Sequence, residues 1–143
     1  MRAVEAPAFR CGVRHVKYLL DTHILLWLEG DSTKLSPSAR AIIDDDTNGL
    51  LVSFASLWEL QIKARSGKLK LSSFLLENLV LQRELSELQL LPISGEHILT
   101  FGTIPQFHKD PFDLMVIAQL LYEGLPIISA DAIFTSYPIT VIW

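Results

Sequence analysis

The chain has 143 residues, half of them apolar and 20% charged, with a formal net charge of −4 at pH 7; its mean hydropathy is +0.34 and its pI is near 5.5. That length fits one domain able to bury a core without staples, and the apolar content excludes a disordered chain and points to a partner surface. The acidic balance excludes broad capture of nucleic acid through a basic face, so a nucleic-acid enzyme of this charge needs another device, such as clustered carboxylates that hold divalent cations and so attract phosphate.

Cys11 is the only cysteine, so neither an intrachain disulfide nor a cysteine zinc site can be built, and a reducing cytoplasm is the expected location. No apolar stretch approaches the roughly 18 residues that span a bilayer, the best candidates being interrupted by His23, Glu29, Glu59 and Lys63, and no membrane association is expected. Arg2, Glu5, Pro7, Arg10 and Arg14 break up the first residues where a secretory signal needs an apolar run.

In chain order, residues 1–16 lack any period and read as a flexible N-terminal extension, with Val16 a candidate natural initiator read from a GTG codon; residues 17–143 read as the folded domain. Short apolar runs then alternate with longer helical ones, the pattern of βα units and of an α/β fold with a parallel sheet flanked by helices. Five strands are expected, at Tyr18–Leu20, Leu50–Ser53, Leu90–Pro92, Ile127–Ser129 and Thr140–Ile142. Several are continuously apolar, as a sheet covered on both faces requires. Ser36 and Pro37 open a helix through Asp44, Leu57 to Ser66 forms another that stops at Gly67, and Ser72–Leu88 and Glu96–Gly102 also read as helices. Phe112–Glu123 begins after Asp110-Pro111 and ends at Gly124.

Four acids arrive at one sheet edge from separate segments. Asp21 follows the first strand directly and Asp131 follows the fourth by one residue, and open α/β sheets take ligands at the carboxyl ends of their strands. Helix capping and turn formation account for these two acids equally well. Glu59 lies early in the helix after the second strand; the alternative for it is an exposed glutamate paired with Lys63 one turn on, against which Trp58 and Ile62 on one side and Leu57, Leu60 and Ala64 on the other suggest a largely buried helix. Asp110-Pro111-Phe112-Asp113 places a cap at Asp110 and a second acid at Asp113, where dipole compensation and chemistry both suit a carboxylate. Packed carboxylates repel, and a hard divalent cation relieves that repulsion with oxygen ligands. Such a site suits hydrolysis of a phosphodiester backbone.

Tyr18-Leu19-Leu20-Asp21-Thr22-His23, Ser56-Leu57-Trp58-Glu59, His108-Lys109-Asp110-Pro111-Phe112-Asp113 and Ser129-Ala130-Asp131 together resemble the ordered motifs of PIN domains, specifically VapC toxins of type II toxin–antitoxin systems. The resemblance spans residues 17–143 and implies a single PIN-like domain with a five-stranded parallel sheet and Mg²⁺- or Mn²⁺-dependent endoribonuclease activity. It also implies an RNA substrate, a homodimer, and a small VapB-like antitoxin that binds DNA. By motif position it makes Asp21, Glu59, Asp113 and Asp131 the catalytic metal ligands, with Thr22 and Ser129 as hydrogen-bonding supports and Asp110 a motif residue read here as a cap.

One departure is Leu114, where relatives commonly carry an arginine able to pair with a carboxylate or phosphate; substrate contacts are affected more than metal binding. Lys63, Arg65, Lys68 and Lys70 form a candidate RNA-backbone patch, with a solvated helix face as the alternative. His15, His23, His97 and His108 share no ligand spacing and none is assigned as a ligand, while Trp27, Trp58 and Trp143 are expected in the core or an interface. Two rival readings are an inert antitoxin-binding module that keeps the fold, which the presence of all four acids opposes, and a phosphatase with Asp21 as nucleophile. The second is weakened by His23 standing where a second aspartate is needed.

Overall fold

A computed structural model describes residues 16–69 and 88–143. Five strands, β1 (Lys17–Leu20), β2 (Gly49–Ser53), β3 (Leu88–Leu91), β4 (Ile127–Ile128) and β5 (Val141–Ile142), form one parallel sheet in the order β3-β2-β1-β4-β5. Flanking it are α1 (Thr22–Glu29), α2 (Pro37–Asp44), α3 (Phe54–Arg65), α4 (Gly95–Phe101) and α5 (Pro111–Glu123), with short 3₁₀ turns at Ser32–Lys34 and Ala132–Ser136. The strand order grows outward from β1 in one direction to β3 and then resumes on its other side at β4. A topological switch therefore lies between β1 and β4, where two strand ends leave a crevice.

Strand alternation divides the core into two layers. Leu19 and Leu51 face one side with Leu114, Ile117, Leu120, Ile127 and Phe134, while Leu20, Leu50 and Val52 face the other with Ile24, Leu25, Ala39 and Leu60. Both faces are apolar because both are covered by helices, which is why the strands read as unbroken hydrophobic runs. Leu19, Leu20, Ile117, Ile127 and Ile128 are fully buried, each contributing about 1.5–3 kcal/mol by leaving water.

Each helix begins where the sequence supplies a cap. Ser36 accepts from the Ala39 N–H, Asp110 from those of Phe112 and Asp113, and Ser94 from that of His97. α3 starts at Phe54, three residues before the expected Leu57, because the Ser53 hydroxyl accepts from the Ala55 N–H at 2.9 Å and caps the helix directly at the strand end. α1 carries five consecutive apolar residues, Ile24 to Leu28, and so lacks the two-sided pattern that marks a helix in sequence. β3 begins two residues before the expected Leu90, and the helix expected at Ser72–Leu88 lies outside the described residues except for Leu88, which opens that strand. The expected extension also lies outside them, apart from Val16.

α5 ends at Gly124, whose φ of 70° and ψ of 38° lie in the left-handed region, with its N–H bonded to the Leu120 carbonyl. Nothing lies within 4 Å of a Cβ built there, so the cost of a side chain is backbone strain alone. Gly124→Ala is expected to lower stability by about 1 kcal/mol, read from urea denaturation midpoints.

Candidate active site

The carboxyl ends of β1, β2 and β4 and the start of α5 bring the four predicted acids to one edge. Asp21 leaves β1 as the N-cap of α1, its Oδ1 accepting from the Thr22 N–H at 2.7 Å. Its other oxygen accepts from the Ser129 hydroxyl at 2.8 Å, a bond that crosses the switch between β1 and β4. The register Leu20↔Ile128 sets this contact, since the next residue on each strand is Asp21 and Ser129. The same Ser129 oxygen accepts from the Asp131 N–H at 3.0 Å, and Asp131 in turn caps the turn at Ala132–Ser136 by accepting from the Ile133 N–H.

Glu59 sits one turn into α3, only 8% exposed, and its Oε1 accepts from the Thr22 hydroxyl at 3.1 Å. Lys63 Nζ lies 2.9 Å from its Oε2, so the pairing one turn along the helix and the burial hold together. That carboxylate raises the Lys63 pKa, with Asp110 and Asp113 adding to the effect. Asp113, in the first turn of α5, has its carboxyl pushed up to about 7, first by burial and then by Asp110, Asp21, Glu59 and Asp131. The repulsion identifies the cluster, because one side chain feels every other acid at this edge.

Capping and site geometry are therefore not alternatives. In a parallel sheet each strand end turns directly into a helix start, so a carboxylate that caps the helix also stands at the strand-end crevice. The donor set is one of hard oxygens under mutual repulsion and fits a divalent cation of the magnesium type. Among the described residues, no three His, Cys, Asp or Glu side chains are grouped as a preformed metal cage, so gathering them around an ion needs side-chain adjustment.

The sequence matches the PIN domain family over residues 18–139. The chain belongs to the PIN domain family. PIN domains are nucleases. Among solved structures similar to this PIN domain is VapBC2 from Rickettsia felis bound to a DNA fragment from its promoter, at 18% identity and a TM-score of 0.68, covering 89% of this chain and 98% of that one. DNA-bound VapBC from Salmonella typhimurium matches at 19% identity and a TM-score of 0.63, covering 89% and 97%. VapBC-5 from Mycobacterium tuberculosis matches at 15% and 0.55, covering 89% and 96%. At these identities the likeness establishes the shared fold. No curated protein matches the sequence.

Other sequence expectations change in the folded PIN domain. Leu114, at the position where an arginine is common, is 2% exposed and packs in the α5 layer beside Val116 and Ile117, because one residue beyond Asp113 the helix has turned its side chain toward the sheet. Of the three tryptophans, Trp27 packs partly buried against the core, whereas Trp58 is 61% exposed with its ring edge-on to Phe112, and Ile62 is also exposed, so that side of α3 is not the buried stripe read from sequence. Trp27 is half-buried against the exposed Trp143. Lys63 and Lys68 line a groove of about 380 Å³ with Glu59, Ile62, Ser66, Asp110, Pro111 and Phe112, whereas Arg65 does not line it and Lys70 lies outside the described residues.

Two features escaped sequence reading. His23 lies with Nδ1 3.9 Å from Asp21, and its interaction with that carboxylate raises its pKa against the opposing effect of burial. His97 is buried in α4, bonded through Nε2 to Glu123 at 2.8 Å and through Nδ1 to the Ser94 N–H, while Gln119 links the Pro92 carbonyl to the Ser53 hydroxyl. The second network joins α4, α5 and the cap of α3, and Ser94, a cap-forming residue three positions before His97, is its one local signal. Among the described residues no helix is long and apolar enough to cross a membrane.

Proposed function

We propose that this PIN domain is a metal-dependent endoribonuclease and the toxin of a toxin–antitoxin pair. The observation that carries the reading is the placement of the acids at one sheet edge, with Asp21 bonded across the β1–β4 switch to Ser129, Glu59 bonded to Thr22 beside it, and Asp113 close enough to feel the charges of Asp21, Glu59 and Asp131. Asp21 and Glu59, both buried and each held by a hydroxyl donor, would anchor an ion, while the half-buried Asp113 and the exposed Asp131 face the side open to substrate. A bound Mg²⁺ or Mn²⁺ supplies positive charge for the phosphodiester and acidifies an attacking water. Thr22 and Ser129 keep the anchoring carboxylates in orientation, and Lys63 and Lys68, on the adjoining groove, would meet flanking phosphates.

Solved relatives described as VapBC complexes support a VapB-like antitoxin as the partner, and a homodimer and a cytoplasmic setting accord with the same reading. The test is cleavage of single-stranded RNA and of matched DNA by purified protein with Mg²⁺, with Mn²⁺ and with a chelator. RNA cleavage that depends on added metal is expected, together with growth arrest on induction that a small protein encoded upstream relieves. Equal cleavage in chelator rejects the metal role, and preference for DNA rejects the substrate. Ser129→Ala removes one donor from Asp21 and is expected to weaken Mn²⁺ binding by about tenfold, measured calorimetrically.

A further inference from the structure

The hydrogen bonds around His108 specify which of its ring nitrogens carries the proton. Tyr137, 4% exposed, has its hydroxyl oxygen 3.2 Å from the Phe107 N–H, from which it accepts, and 3.0 Å from His108 Nδ1. A phenol has one proton to donate, and among the described residues the His108 ring nitrogen is the acceptor within its reach. His108 Nδ1 therefore accepts, and the neutral imidazole carries its hydrogen on Nε2. That atom is buried, has no hydrogen-bond partner among the described residues, and lies 3.7 Å from Asp113 Oδ2. The opposite tautomer would leave the phenol proton without an acceptor and turn a bare nitrogen lone pair toward a carboxylate, so both ends of the chain select the same form.

We infer that Tyr137 and His108 form a brace that positions Asp113, presenting the Nε2–H toward its Oδ2 from the residue that opens the same motif stretch, with Tyr137 reaching in from a distant segment. Closing the 3.7 Å gap to hydrogen-bond length needs a side-chain shift of about 1 Å, the kind of adjustment that gathering the acids around an ion requires. His108 touches neither ion nor substrate in this role; it acts through Asp113, as the carboxylate and carbonyl partners of ligating side chains do in metal sites generally. Tyr137 comes from the segment after β4 and His108 from the loop before α5, so the brace also ties together the two segments that supply Asp131 and Asp113.

The inference rests on the metal-centre reading, and its experiment separates the two. In ¹⁵N-labelled full-length protein at pH 8, two-bond ¹H–¹⁵N spectra are expected to show His108 with Nε2 protonated and Nδ1 bare, and Tyr137→Phe is expected to weaken that preference, leaving only the Asp113 carboxylate to select it. Calorimetric Mn²⁺ binding is expected to weaken about ten- to hundredfold in His108→Phe and to recover largely in His108→Gln, whose amide N–H reaches the same place, with thermal melts confirming that both variants fold. A purely structural histidine predicts no rescue by glutamine. An Nδ1-protonated ring in the wild type overturns the brace, as does His108→Phe binding Mn²⁺ as tightly as wild type. Wild-type protein that binds no Mn²⁺ overturns the metal-centre reading instead.

Discussion

Asp21→Asn is expected to lower metal-dependent RNA cleavage by about a hundredfold or more, exceeding the loss from removing a partner that only orients a ligand. The substitution is nearly isosteric. Its retained amide oxygen can still accept from the Thr22 N–H, and the Ser129 hydroxyl can rotate to accept from the new amide. What disappears is one negative charge at the switch between β1 and β4, where the proposed ion needs it most. The expected pattern is thus an unchanged or higher melting temperature with lost cleavage and lost growth arrest. Growth arrest that persisted in the variant would remove metal-site catalysis as the cause of toxicity.

Asp113→Asn is expected to stabilise the metal-free protein at neutral and alkaline pH while abolishing cleavage. The Asp113 carboxyl is pushed up to about 7 in the folded chain, above the ordinary aspartate range near 3.8. Between those values the folded state binds more protons than the unfolded one, so stability falls as pH rises from about 4 to about 7 and levels off above. Below about pH 4 both states are protonated and nothing is lost. The full shift would correspond to about 4 kcal/mol, but the side chain is still 21% exposed and solvent screens the repulsion. A gain of about 1–2 kcal/mol at pH 8, vanishing at pH 4, is the expected result from paired urea melts, and added Mg²⁺ should stabilise the wild type more than the variant. A stability difference between the two proteins that does not change from pH 4 to pH 8 would show that neither burial nor the neighbouring acids disfavour the Asp113 carboxylate.

The two substitutions separate what the acids do for the fold from what they do for chemistry. Clustered like charges cost stability, and nothing in the folding of β1 or α5 requires four of them. Asp21 and Asp110 offset part of that cost by capping α1 and α5, and Lys63 offsets more at Glu59. Asp113 is compensated only by the helix N-terminus and the more distant Lys63: its carboxyl accepts no hydrogen bond among the described residues and faces other acids, with His108 Nε2 still 3.7 Å away. A group left in that state by the fold is the one that a cation would relieve most.

The sequence alone determined the parallel α/β architecture, because unbroken apolar strands such as Leu50–Val52 and Ile127–Ile128 are compatible only with a sheet covered on both faces. It also determined the caps at Ser36 and Asp110 and the stop at Gly124, since each is local chemistry between neighbours in the chain. Asp21, Asp113 and Asp131 were legible for a related reason, since each sits at a strand end or a helix or turn start marked by short-range signals, whereas Glu59, one turn into α3, was legible only through its motif. The tertiary structure decided which acids meet, through the strand order that places β4 beside β1 and the register that sets Ser129 against Asp21 over 108 positions of sequence. It decided that Leu114 serves the core, that Trp58 faces solvent, and that Tyr137 reaches back to His108. Contacts of that kind depend on how separate elements pack and rotate against one another, and a pattern of residues along one segment carries no information about the orientation of another.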